Sequence, residues 1–253
     1  MHYVLSDIHG CCKAFEAILS MIRLQRDDHL YILGDVIDRG SDGIALLQRI
    51  RKMENCVLLL GDHEHMMINA LRNRNDDCVL HAWRENGGEP TYAAFCALDA
   101  GAQEDLLRHL EGLPLQTSVT IQSDAGEKEY ILVHAAPKEL FKTEGGGYKD
   151  EREFIVQHKM ALQLPPELAG KTYVIGHTPT ICYDEREKEE GLRMRIAYGD
   201  GVIDINCGCS YPQYGGRLGC LRLEDLNEYY WGKPWWCYKA KAGPLNMLRG
   251  DLR

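Results

Sequence analysis

The stretch Tyr3-Val4-Leu5-Ser6-Asp7-Ile8-His9-Gly10 decides the reading of this chain, because a short apolar run ends on a carboxylate, an imidazole and a glycine. Asp7 and His9 are two residues apart, so in extended backbone they share a face and can reach one ion as the chain leaves a sheet. The pattern recurs four times. Ile32-Leu33 leads into Gly34-Asp35-Val36-Ile37-Asp38-Arg39-Gly40, and Leu58-Leu59-Leu60 leads into Gly61-Asp62-His63-Glu64. Ile131-Leu132-Val133 leads into His134, and Val174-Ile175 into Gly176-His177-Thr178. Each run has the length of a buried strand, and each polar cluster sits where that strand would end. Open α/β sheets bind ligands at the carboxyl ends of their strands. Asp7, His9, Asp35, Asp62, His63, His134 and His177 are therefore expected in one pocket, enough for a two-metal site.

The intervening segments support an α/β layer structure. Ala14 to Met21 carries apolar residues at helical spacing, Ser41-Asp42 reads as a cap before an amphipathic stretch from Ile44 to Met53, and His63 to Leu71 reads as a third helix. Residues 76–113 read as mostly helical, broken at Asn86-Gly87-Gly88-Glu89-Pro90. Beyond Leu115 the period shifts to strands, over Leu115 to Ile121, Tyr130 to Val133, Thr172 to Ile175, Leu192 to Ala197, Val202 to Asn206 and Gly219 to Leu223. Asp124-Ala125-Gly126-Glu127 reads as a hairpin turn and Asp184 to Gly191 as a charged, exposed loop. The expected fold class is α/β (α+β), with two sheets flanked by helices and residues 1–253 forming a single domain.

A net charge of −9 disfavours a nucleic-acid duplex as partner, which would want a basic face. It also repels anionic substrates, unless bound divalent cations reverse the sign locally. The ten cysteines are scattered, several within apolar runs, and read as reduced, buried thiols of a cytoplasmic protein rather than a disulfide framework. Cys207 and Cys209 lack a second pair at zinc-ribbon spacing. A strand is expected from Tyr3, which leaves no room for an export signal, and no apolar run approaches the roughly 20 residues that span a bilayer.

Taken in order, the five blocks resemble the signature of the calcineurin-like metallophosphoesterases: D-x-H-G, G-D-x-x-D-R-G, G-N-H-E, a histidine after a strand, and G-H-T. They most resemble the branch that contains the serine/threonine phosphoprotein phosphatases, including small bacterial and phage members. The resemblance implies a four-layer αββα sandwich of two mixed β-sheets packed face to face, and two divalent metal ions, manganese first, with iron or zinc as alternatives. Such a pair, roughly 3.5–4 Å apart, stabilises attacking and leaving oxygens together and generates a bridging hydroxide at neutral pH. By resemblance Asp7 and His9 hold the first ion, Asp35 bridges both, and Asp62, His134 and His177 hold the second. His63 is the expected general acid, oriented by Asp38. Arg39 is expected to grip phosphoryl oxygens. Arg152, in Asp150-Glu151-Arg152-Glu153-Phe154, is the one arginine in the interval where the family places a second phosphate ligand.

Trp83-Arg84-Glu85-Asn86-Gly87-Gly88 resembles a W-x-x-N-G-G segment of the phosphatase branch, and reads equally as a helix terminus with glycine supplying positive φ. Asp204 or Asn206 borders the site or simply packs. His2, His29, His65, His81, His109 and His158 have no metal-ligand company. The aromatic tail at 229–238 reads first as a strand pair capping a core. One block departs from the family pattern, with Asp62 where the family has asparagine. The implied reaction is hydrolysis of phosphate monoesters, first of phosphoserine or phosphothreonine in proteins. The alternatives are a dinucleoside polyphosphate hydrolase such as one acting on diadenosine tetraphosphate, and a weakly active or inactive phosphate-binding relative. Either enzyme takes a phosphorylated protein or small phosphoester, with no membrane partner.

Overall fold

Strands β1 (His2–Leu5), β2 (His29–Ile32) and β3 (Cys56–Leu58) run parallel, linked by helices α1 (Cys12–Ile22) and α2 (Gly43–Ile50). Strands β9 (Leu218–Arg222) and β10 (Glu228–Trp231) extend this sheet antiparallel on the β1 side, giving the order β10-β9-β1-β2-β3. The computed structural model describes residues 1–73, 76–123, 126–183 and 194–232. A second sheet has the order β4-β5-β6-β8-β7, built from Gln116–Ser123, Gly126–Val133, Thr172–Ile175, Val202–Asp204 and Ala197–Tyr198 respectively. Its central strands β5, β6 and β8 are parallel and its edge strands antiparallel. Both sheets are mixed, as expected.

Period-two alternation sorts the side chains into layers. Val4, Leu33 and Leu59 from the first sheet meet Tyr130, Leu132, Val174 and Ile203 from the second, forming the core between the sheets. Their sequence neighbours Tyr3, Leu5, Leu30, Ile32 and Leu58 face outward, onto the apolar faces of α1, α2 and the helices that follow. On the far side Ile131, Val133, Tyr173 and Ile175 pack against Leu140 and against Phe154 and Ile155 of the helix Glu151–Gln157. Strands β1, β6 and β8 and the second half of β5 are buried on both faces, which is why they read as unbroken apolar runs. Each such Leu, Ile or Val contributes roughly 1.5–3 kcal/mol by leaving water. The four layers follow from that alternation.

Several boundaries differ from expectation. Asp42 occupies the N-cap position of α2, but its carboxylate accepts from Ser41 Oγ at 3.0 Å instead of capping the helix, and α2 ends at Ile50 rather than Met53. The break at 86–90 is a kink between α4 (Asp77–Trp83) and α5 (Glu89–Cys96), with Asn86 and Gly87 in non-helical backbone, Gly87 at φ 97, and Pro90 in the first turn of α5. Of the strand expected over 192–197, only Ala197 joins a sheet, as the first residue of the short edge strand β7; residues 184–193 lie outside the described residues. β4 and β5 pair from Gln116↔Val133 to Ser123↔Gly126, the register of the expected hairpin. Tyr229, Tyr230 and Trp231 form β10, whereas Trp235, Trp236, Cys237 and Tyr238 lie outside the described residues. Cys207, Cys209 and Cys220 are buried, while Cys78, Cys96 and Cys182 are exposed, against the buried reading. Among the described residues no helix is long and apolar enough to cross a membrane.

Candidate dinuclear metal centre

The site lies where the parallel strands of both sheets end. The chain leaves β1 at Asp7, β2 at Asp35, β5 at His134 and β6 at His177, and α3 (Asp62–Arg72) begins just beyond β3. Six of the eight non-glycine residues with positive φ among the described residues are Asp7, His9, Asp35, Asp38, Arg39 and His177. Left-handed backbone costs an L-residue about 1–3 kcal/mol, and such strain concentrates where side chains must be aimed at a ligand. Gly61 is required by crowding, since a Cβ there would lie 2.2 Å from Asp35 Oδ1.

The donor atoms converge in overlapping groups, each with its ligand atoms within 4.8 Å of one another: Asp7, Asp35 and His134; His9, Asp35 and His63; Asp62, His134 and His177. Asp35 Oδ2 lies 3.7 Å from His9 Nε2, and its Oδ1 lies 3.5 Å from His134 Nε2. Asp62 Oδ1 is 3.0 Å from His134 Nε2 and 3.1 Å from His177 Nδ1. His9 Nδ1 donates to the Ile37 carbonyl at 3.0 Å and His134 Nδ1 to that of Leu33 at 2.6 Å, which turns both Nε2 atoms inward. Asp35 shares two of the three groups, as a bridging ligand must.

Three carboxylates and three or more imidazoles buried in one pocket fit two divalent cations. Asp7, His9, Asp35, His63 and His134 are each at most 2% exposed. Burial, reinforced by the charges of Asp62 and Asp7, pushes the Asp35 carboxyl well above its usual range. Burial would also raise Asp62, but His177 and His134 outweigh it and hold this carboxyl well below its usual range. For His134 burial favours the neutral ring, and the Asp35 and Asp62 carboxylates overcome it and raise the pKa. Crowded negative charge of this kind is what a cation neutralises, and the mixed oxygen and nitrogen donors suit manganese, iron or zinc better than calcium.

Beside these donors His63 Nδ1 donates to Asp38 Oδ2 at 2.7 Å, leaving Nε2 for the pocket. Burial would lower the His63 pKa, yet Asp35, then the hydrogen bond to Asp38, push it up to about 9. Arg39 Nη1 donates to His9 Nε2 at 3.0 Å and to Ser210 Oγ at 3.3 Å, and its guanidinium lies 5.1 Å from the Tyr211 ring centre. Arg152 differs. Its Nη2 donates to the Glu111 carbonyl at 3.0 Å and its charge reaches His65, so it is tied to the α6 (Ala100–Glu111) side rather than to the convergent donors.

Three further residues shape the site. Glu64, fully buried, accepts from the backbone N–H groups of Asp35, Val36, Ile37 and Gly61, pinning the Asp35 loop to α3. Its place in the Gly61-Asp62-His63-Glu64 block was the available signal. Asn206 Nδ2 donates to Asp7 Oδ1 at 2.8 Å and to the His177 carbonyl at 2.9 Å, so it borders the site, whereas Asp204 stays buried behind it. Trp83 Nε1 donates to Asp38 Oδ2 at 2.8 Å.

A model of the calcineurin-like phosphoesterase family matches residues 3–203. The chain belongs to that family. It is 28% identical over 251 residues to the symmetrical bis(5'-nucleosyl)-tetraphosphatase of Acidovorax sp. (strain JS42), covering 97% of this chain and 79% of that protein. The protein of the same name from Erwinia tasmaniensis is 28% identical over 139 residues, 53% of this chain and 43% of the relative's length. Among solved structures, a metallophosphoesterase from Sphaerobacter thermophilus superposes with a TM-score of 0.51 at 17% identity, over 99% of this chain and 98% of that one. A candidate diadenosine tetraphosphatase superposes with a TM-score of 0.56 at 17% identity, over 91% and 92%. These structural likenesses bear on the fold alone. The chain is thus a phosphoesterase whose family generally binds two divalent metals, with donor groups of matching chemistry.

Proposed function

We propose that this phosphoesterase hydrolyses dinucleoside polyphosphates, adding water across the central phosphoanhydride of a compound such as diadenosine tetraphosphate and releasing two nucleoside diphosphates. The observation that carries this reading is the alignment of 97% of the chain with a relative named for symmetrical tetraphosphate cleavage. In this reading Asp7, His9 and Asp35 hold one ion, while Asp35, Asp62, His134 and His177 hold the other. When bound, the two ions supply Lewis acidity and lower the pKa of water. The protein's own groups do the rest. Arg39, which carries a planar fork of donors, takes the phosphoryl oxygens. His63, its Nδ1 committed to Asp38, offers Nε2 to the leaving oxygen and gives up a proton there.

One observation favours hydrolysis of phosphoserine or phosphothreonine as a second reading. The His63–Asp38 pair is a short, buried proton-donor assembly, and an alkoxide leaving group needs a proton far more than a nucleoside diphosphate does. The test is product analysis of the manganese-loaded enzyme on diadenosine tetraphosphate, a phosphothreonine peptide and para-nitrophenyl phosphate. Adenosine diphosphate as the sole nucleotide product, at a kcat/KM above that for the peptide, is the expected result. Phosphate release from the peptide with no turnover of the dinucleotide would replace the first reading with the second.

A further inference from the structure

Asp38 is held from two directions. Its carboxylate is fully buried, its backbone is left-handed at φ 68, and Oδ2 receives both the His63 Nδ1 and the Trp83 Nε1 hydrogens, at 2.7 and 2.8 Å. Among the described residues Oδ1 has no hydrogen-bond partner. Among them, the polar anchoring of this carboxylate rests on one oxygen and two donors. With the indole N–H removed, His63 would be the single donor, and either oxygen could serve it after a rotation of the side chain. A proton donor must sit within hydrogen-bond reach of the leaving oxygen, so a freed Asp38 means a wandering imidazole.

The segment carrying Trp83 is shaped around this contact. The Asp38 N–H donates to Thr91 Oγ1 at 2.9 Å and the Arg39 N–H donates to the Gly87 carbonyl at 2.7 Å. Gly88 lies flat on the indole, where a Cβ would come within 2.5 Å of Trp83 Nε1. The kink at Asn86-Gly87, between Trp83 and Glu89, brings residues 83, 87 and 91 to the Asp38-Arg39 corner. A turn serving only to end a helix has no need of three hydrogen bonds to the same two residues.

We propose that Trp83 is a positioning residue for the proton donor: its indole N–H fixes the Asp38 carboxylate, which fixes His63. This rests on His63 acting as the acid, not on which phosphoester is the natural substrate. The test replaces Trp83 by phenylalanine and, to keep the ring shape while deleting only the N–H, by benzothienylalanine. Both manganese-loaded variants are assayed on para-nitrophenyl phosphate, whose leaving group needs little protonation, and on phenyl phosphate, whose leaving group has a pKa of about 10. The expected loss is about tenfold or more in kcat on phenyl phosphate and within about twofold on the nitrophenyl ester, the scale of one charge-assisted hydrogen bond felt only where the proton matters. KM and metal content stay near the parent values, and the melting temperature falls only in the phenylalanine variant, whose smaller ring leaves a cavity at a fully buried position. An equal fall on both esters, or none on either, overturns the proposal. The His63 Nδ1 proton resonance gives an activity-free reading: it shifts in both variants if Trp83 orients the pair, and an unchanged resonance overturns the proposal as well. Failure on diadenosine tetraphosphate alone would count only against the substrate reading.

Discussion

Replacing Asp62 by asparagine should speed the enzyme while loosening its metals. Asp62 is 9% exposed, accepts from His134 and His177, and is held ionised against burial by those imidazoles. With two divalent ions bound, the carboxylates of Asp7, Asp35 and Asp62 leave the centre one positive charge in surplus, and Asp62→Asn raises the surplus to two. The amide keeps a ligand oxygen and adds an N–H donor for the phosphoryl group. A hydrogen bond to a charged group is worth roughly 1.5–3 kcal/mol, so kcat/KM should rise about tenfold to hundredfold. Metal affinity should move the other way, because a carboxylate is the stronger ligand for a cation. The assay is steady-state kinetics on para-nitrophenyl phosphate and diadenosine tetraphosphate at saturating manganese, with metal binding followed by calorimetry. An equal or lower kcat/KM in fully metal-loaded Asp62→Asn would refute the charge argument.

Asn206→Ala removes the donor that holds Asp7 and the His177 loop, and should weaken manganese binding about tenfold or more, the usual cost of losing a partner of a metal ligand; an unchanged dissociation constant by calorimetry would count against that role. Gly61→Ala forces a Cβ onto Asp35 Oδ1, and should cost activity about a hundredfold by misplacing a bridging ligand, where a 1 Å error suffices; near-parental kcat would show that the loop adapts. Adding manganese at about a hundred times its dissociation constant should stabilise the fold by about 2.7 kcal/mol, a rise of roughly 5–10 °C in a chain of this size, and chelation should reverse it. A flat melting temperature across that titration would mean that the carboxylate cluster is not the metal site.

Much of this protein was legible in its sequence because burial on both faces of a strand leaves a simple trace. Val4, Leu33, Leu59, Leu132 and Val174 could only be interior, and the carboxylates and imidazoles placed after those runs could only converge if the runs were neighbouring strands. The convergence of the five blocks followed from that, whereas the mixed sheets and the His63–Asp38 pair came from the resemblance to the phosphoesterase family. What the linear order could not carry were contacts made across long separations by residues whose type has many uses. Asn206 meets Asp7 across 199 positions, and Trp83 meets Asp38 across 45. A tryptophan before Asn-Gly-Gly reads equally well as a helix end, and only the packing of Gly88 beneath its indole shows where the N–H is aimed. Arg152 shows the same limit, since its position between two ligand histidines says nothing of the local partner that the tertiary structure gives it, a carbonyl on α6. The sequence alone determined which strands are buried and which side chains end them. Only the tertiary structure decided which partners hold those side chains still, because hydrogen bonds depend on orientation, and orientation is set by the packing of distant segments.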